Sequence, residues 1–401
     1  MKRFLKRVIV SLLLLIIGLL TPIGYVELAC RPVDGAANYT AILPPDQHRS
    51  EARTLLTYPE WHIVHAYDDY AKVISTGDPH DYQYLPAIGG FWASLCSLSK
   101  SSGPHGGFPA EFKSTVYTIG VSFTAELLAK ALYEETIGRV ATLIRGKTRA
   151  PLDDLTAQQA ARYAQFLRQV PWYEWNFKQD AAVITDRATD AFRDRERRLA
   201  VGLEYKVKSA YCEVIAAAVA NMEPDALRLR MIVNGLSGAD LALFDDVDVI
   251  ATRPEGIEIE TPRYRALTGL LMQWAQAGGN FIEIAGNDDI LFTVTSEDLY
   301  LDEALHSFKR QGYHDSRHLI LLPVTQLAEA LRGLEKRGLT LEHIHDYYGL
   351  DCVGPRRLVW VDFTPTCRDV LRRRRARGCG IVSKRRVHFQ TAREYGHFRH
   401  W

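Results

Sequence analysis

The stretch Ile257–Thr295, IEIETPRYRALTGLLMQWAQAGGNFIEIAGNDDILFTVT, decides how the second half of the chain is read. Ile257 and Ile259 alternate with Glu258 and Glu260, the period of a half-buried strand. Thr261-Pro262 then supplies a capping hydroxyl and a first-turn proline, so a helix is expected to open there. Leu267, Leu270, Leu271 and Trp274 form its buried stripe, and Gly278 ends it. Two short strands follow, Asn280–Ile284 and Ile290–Thr295, joined by the turn Gly286–Asp289.

The same order returns downstream. Strand His318–Leu322, Pro323, a helix carrying Leu327, Leu331 and Leu334, Gly338, strand Leu341–Asp346 and strand Leu358–Phe363 repeat β-α-β-β. Leu267 and Leu327, Leu271 and Leu331, Trp274 and Leu334, Gly278 and Gly338 are each sixty residues apart. Two such units are expected to form a pseudo-twofold α+β domain over 224–366, with both helices on one face of an antiparallel sheet. Arg228–Val233 and Val247–Ala251 add one or two strands. By element order alone, the paired units resemble small-molecule-binding domains of the gyrase-inhibitor-like kind, which implies a ligand cleft between the repeats.

Working back towards the N-terminus, residues 50–223 carry helical periodicity broken by loops at 77–79, 101–109 and 148–151, and an all-α domain is expected. Leu199, Leu203, Val207 and Tyr211 recur every four residues and predict one buried stripe. Leu85–Leu98 and Thr115–Ala125 are apolar but short for spanning; they read as core helices, or as segments that dip into a bilayer leaflet or line an apolar pocket. Arg31–Gln47, with four residues of Pro or Gly, reads as an extended tether within 27–49.

Val8–Val26, VIVSLLLLIIGLLTPIGYV, is uncharged. At ~1.5 Å per helical residue it reaches across most of a ~30 Å hydrocarbon core. Lys2, Arg3, Lys6 and Arg7 precede it, so the expectation is a single-pass anchor with a cytoplasmic stub at 1–7 and an extracytoplasmic body. A cleaved signal peptide is the rival reading, though Val26-Glu27-Leu28-Ala29 before Cys30 fits neither cleavage pattern.

Over 401 residues, 47% hydrophobic and 24% charged, the composition excludes a disordered chain and a polytopic transporter. The net charge of +1 hides an asymmetry, because residues 368–401 hold ten Arg and one Lys against Asp369 and Glu394. Inside a cell that tail at 367–401 would suggest nucleic acid; outside, its partners are anionic lipid or an envelope polymer. Six scattered cysteines with no C-x-x-C argue against zinc ribbons and thioredoxin chemistry. An oxidising compartment permits one bridge among Cys352, Cys367 and Cys379, and most of the six read as buried thiols.

Chemistry-bearing residues concentrate in Tyr58–Tyr70, YPEWHIVHAYDDY. On a helix His62, His65 and Asp69 share a face, which permits metal ligation or an acid–base pair, and Glu60 and Trp61 extend the patch as a ligand-binding surface. A second group is His314, Asp315 and His318 with His343, His345 and Asp346. No H-E-x-x-H, G-x-S-x-G or phosphate loop is present, so no cofactor and no metal is assigned. Together with 122–139 (SFTAELLAKALYEETIGR) and 170–175 (VPWYEW), the Tyr58–Tyr70 block resembles segments of uncharacterised bacterial membrane-anchored proteins. That resemblance implies an envelope setting and no mechanism. The expected function is a non-enzymatic, membrane-anchored binding protein, with an envelope enzyme or metal protein built on His62, His65 and Asp69 as the alternative.

Overall fold

The computed structural model describes residues 2–33, 35, 39–49, 52–219 and 228–346. The expected strand Leu358–Phe363, the basic tail 367–401 and Cys352, Cys367 and Cys379 lie outside them.

The chain begins with α1 (Lys2–Ala29), whose segment Ile9–Ala29 is long and apolar enough to cross a membrane. At its end Cys30 is bonded to Cys96, so the bridge among the described residues joins the first helix to the helical region, while Cys212 is a buried free thiol. The segment after Cys30 does not hang free. Glu283 accepts hydrogen bonds from the Tyr39 hydroxyl, from the Ile42 amide at 2.6 Å and from the Leu43 amide at 2.8 Å. A 3-10 turn, Pro45–Gln47, follows, and the Arg49 amide donates to the Ala285 carbonyl.

Helices α2 (Ala52–Thr76), α3 (Tyr84–Ser101) and α4 (Ala110–Tyr133) come next. A π turn, Glu134–Gly138, links α4 to α5 (Arg139–Arg145), and α6 (Pro151–Leu167), α7 (Phe177–Arg187) and α8 (Phe192–Val219) complete the helical region. Both short apolar stretches are core: α3 buries Phe91, Trp92 and Leu95, and α4 buries Val116, Phe123 and Leu127. Gly120 is where they meet, since a side chain there would collide with the rings of Phe91 and Trp92.

The stripe expected to be buried on α8 is exposed: Leu199, Leu203, Val207 and Tyr211 all face outward. The reason is the charge on the opposite face. Arg193 reaches Asp153 at 2.8 Å, Arg197 reaches Glu134 at 2.9 Å and Lys208 reaches Glu126 at 2.8 Å, so α8 turns its ion-pairing side inward. A charge buried without its partner is more costly than an exposed leucine, which fixes that rotation.

After α8 the chain forms β1 (Arg228–Asn234), a single turn α9 (Gly238–Leu241), β2 (Asp248–Thr252), β3 (Ile257–Pro262), α10 (Tyr264–Gln276) and β4 (Asn280–Ile284). It continues through β5 (Asp289–Ser296), β6 (His306–Lys309), β7 (Ser316–Pro323), α11 (Val324–Gly333) and β8 (Thr340–His345). Two four-stranded antiparallel sheets result, ordered β2-β3-β1-β4 and β6-β7-β5-β8. β5 pairs with β7 and β8, so the expected grouping βαββ gives way to βββαβ in each sheet. Thr261-Pro262 closes β3 instead of opening α10, and Tyr264 begins the helix with φ at 62°.

The sixty-residue offset reaches down to single hydrogen bonds. Gly279 N–H donates to Trp274 and Leu339 N–H to Leu334, after Gly278 and Gly338, both left-handed. These are matched helix stops. Helices α10 and α11 bury Leu267, Leu271, Leu327 and Leu331 in one core lined by both sheets, so the space between the repeats is filled with side chains. The other face of the second sheet packs on the helical region, where Leu291 and Leu319 join the core of Tyr58, Trp61, Phe91 and Trp92.

Candidate functional site

The face of α2 that meets the second sheet is built on Tyr58, Trp61, His62, His65, Asp68 and Asp69, all buried. Their spacing of three, four and seven places them on one side of the helix. Trp61 stacks on His343 of β8 with ring centroids 3.5 Å apart, and Tyr58 meets His345 edge-on at 5.5 Å. The expected groups on α2 and β8 therefore come together, although the sequence separates them widely.

Arg317 of β7, fully buried, is the centre of the polar half. Its Nη1 donates to Asp69 Oδ1 at 2.9 Å and its Nε to Glu342 Oε2 at 2.9 Å, while Asp68 Oδ2 stands 3.6 Å from Nη2. The turn between β6 and β7 closes over this group. Gln311 N–H donates to Asp69 Oδ2 at 3.0 Å, the Tyr313 hydroxyl donates to Asp68 at 3.2 Å, and the Arg310 guanidinium lies 3.6 Å from the centre of the Tyr313 ring. Gly312 bends the turn with φ at 77°.

A cavity of about 390 Å³ opens between α2, the start of α3 and this turn. His62, His65, Asp69, Lys309, Arg310 and Arg317 are among its walls. His62 is held by Nε2 against the Ala87 carbonyl at 3.0 Å, and Gly90 leaves room for its ring, since a Cβ there would lie 3.0 Å from Cε1. His62 Nδ1, His65 Nε2 and Arg317 Nη2 are buried and make no hydrogen bond within the protein. Native structures rarely leave buried polar atoms in that state.

Burial keeps these imidazoles neutral. It pushes His62 down to about 4 and His345 down to about 3, and it holds His65 and His343 well below the usual histidine range, with the Arg317 charge adding to the effect on His65 and His62. Burial raises the Asp69 carboxyl, and Arg317 opposes that rise. Around neutrality the site offers neutral imidazoles beside the cations Lys309, Arg310 and Arg317.

Three of the five expected residues, His62, His65 and Asp69, line the cavity. Trp61 packs behind it on His343, and Glu60 is half-buried outside the lining. The second expected group disperses: His318 sits between Ser296 and Ser307 at 3.0 and 2.8 Å, Asp315 holds Arg310, Asp346 holds Arg263 at 2.8 Å, and His314 is exposed. Among the described residues the one group of His, Cys, Asp and Glu whose donor atoms lie within 4.8 Å of one another is Asp78, His80 and Asp81. There Asp78 is already held by Arg145 at 2.7 and 3.0 Å.

No family model, no curated protein and no solved structure matches this chain.

Arg317, Lys309 and the turn 310–313 were missed from sequence. The available signal was Arg317 itself, a charge inside the strand Ser316–Pro323, SRHLILLP, where burial demands a partner.

Proposed function

We propose that this protein is a membrane-anchored binding protein whose cavity between α2, α3 and the β6–β7 turn takes a small organic anion. The carrying observation is the concentration of Lys309, Arg310 and Arg317 in the walls of one cavity, where Nδ1 of neutral His62, its Nε2–H given to the Ala87 carbonyl, is left as an acceptor for a ligand hydroxyl. Lys309, Arg310 and Arg317 outnumber the carboxylates Asp69 and Asp81 in that lining, which favours a carboxylate or phosphate group over a cation. The volume suits a metabolite-sized molecule.

The anchored setting is supported by α1 and by the basic residues that precede its apolar segment. The Cys30–Cys96 bridge at the far end of α1 favours an oxidising compartment on that side. An enzyme or metal site on His62, His65 and Asp69 is the weaker reading, because Asp69 is already engaged by Arg317 and the Gln311 amide.

Isothermal titration of the full chain in detergent with a panel of carboxylates, phosphates and matched amines tests the proposal. Saturable binding of an anion, weakened by Lys309→Ala with an unchanged melting temperature, is the expected result. Binding of amines alone would overturn it.

A further inference from the structure

The exposed stripe on α8 has no role in the cavity. At ~100° per residue, Phe192, Leu199, Leu203, Val207, Ala210, Tyr211 and Val214 fall within about 120° of one another on a helix, along roughly 33 Å of its length. Leu199 is 70% exposed and Val207 61%. The adjoining helix α5 exposes Val140, Leu143 and Ile144, with Leu143 at 80%. A patch of this kind on a folded surface marks an interaction site.

What covers it can be argued from charge. Arg195, Arg198 and Lys206 are exposed beside the stripe, and Glu213 is the only exposed carboxylate among the described residues of α8. Lys147 is exposed just beyond α5. Tyr211 lies beside Trp172, ring centroids 5.3 Å apart, which adds aromatics suited to a headgroup region. An apolar face flanked by cations and aromatics is the pattern of a helix lying in a lipid interface. A second copy would set two cationic flanks against each other. The chain's own tail is opposed in the same way, with a net charge of +9 over 368–401.

We infer that α8 and α5 form a lipid-docking face that seats on an anionic bilayer surface. It goes beyond the cavity reading and uses only the bilayer that α1 implies. The inward ion pairs of α8 hold Arg193, Arg197 and Lys208 on Asp153, Glu134 and Glu126, which leaves the apolar stripe turned outward.

The test is photo-crosslinking of the full chain in nanodiscs of phosphatidylcholine and phosphatidylglycerol that carry a diazirine lipid, with adducts mapped by mass spectrometry. Lipid adducts are expected within 139–147 and 192–216 as well as within α1. The triple variant Leu199→Glu, Leu203→Glu, Val207→Glu should lower the α8 adducts roughly tenfold, with α1 adducts and melting temperature unchanged. Adducts on α1 with none on α8 would overturn the docking face and leave the anchor standing. Crosslinks between α8 of two copies, without lipid adducts, would overturn it in favour of self-association. Adducts on neither helix would sink both the face and the anchor.

Discussion

Arg317 and Asp69, 248 residues apart in sequence, meet at 2.9 Å in the middle of the fold, one from the second sheet and one from α2. Glu342 completes the pair at 2.9 Å. Removing the guanidinium leaves the buried Asp69 and the partly buried Glu342 without their cation. Arg317→Met should therefore cost about 3–5 kcal/mol, read from chemical denaturation, and Asp69→Asn clearly less. Equal and small losses for both would remove Arg317 as the fastening between helices and sheet.

Burial of the histidines should make the fold less stable as pH falls below their ordinary range, in the same direction as the ion-paired Glu126, Asp153, Glu196 and Glu204 lower down. His62, at about 4 in the folded state against an ordinary value near 6.5, is neutral when folded and takes a proton when unfolded. A group depressed in this way contributes stability above its unfolded value and loses it as pH falls towards the folded one. Stability should be level above about pH 6.5 and decline down to about pH 4. His62 alone accounts for about 3 kcal/mol at ~1.36 kcal/mol per pKa unit, and His65, His343 and His345 act in the same direction. Asp69, raised by burial, works in the opposite sense in the carboxylate range. Denaturation midpoints from pH 8 to pH 4 measure the slope, which His62→Gln should reduce. A flat profile would mean these rings are not buried in solution.

The repeat makes matched demands. Leu271 and Leu331 are buried at equivalent positions on α10 and α11, and Ala at either should cost about 2–5 kcal/mol. Gln276 and Glu335 are exposed and should tolerate Ala within ~0.5 kcal/mol. Four similar losses would contradict the equivalence.

The bridge at the end of α1 should be detectable without structure determination. Non-reduced, unfolded protein should leave Cys30 and Cys96 unlabelled by maleimide, while Cys212 reacts. Replacing both with Ser should lower stability by about 2–5 kcal/mol. Labelling of all three before reduction would rule the bridge out.

Local signals carried far in this sequence where the environment was simple. The strand at Ile257–Glu260, the leucine spacing of α10 and α11, and the two terminating glycines were legible because each depends on neighbours within one or two turns, whereas the alternation itself fails at Glu258, which is buried and held by Arg230 and Arg253. The division into units was not, since β5 pairs forward with β7 and β8 and pairing is a long-range choice. Periodicity located the stripe on α8 but assigned it the wrong side. Spacing shows that a helix has two faces; which one turns inward depended on Asp153, Glu134 and Glu126, carboxylates supplied by other helices. His62, His65 and Asp69 could be grouped from their spacing on one helix. Their partners Arg317 and Gln311 lie on the far side of the chain, and no local pattern announces them.

The strap through Glu283 changes what the first helix means for the rest of the molecule. Two fastenings follow α1 in quick succession, a covalent one at Cys30 to α3 and a hydrogen-bonded one from Tyr39, Ile42 and Leu43 to β4. A linker between them would let the body tumble like a float on a line. Fixed at both places, the chain that leaves α1 is a short, doubly held joint, so the first helix is tied to α3 and to the first sheet by the same few residues that end it.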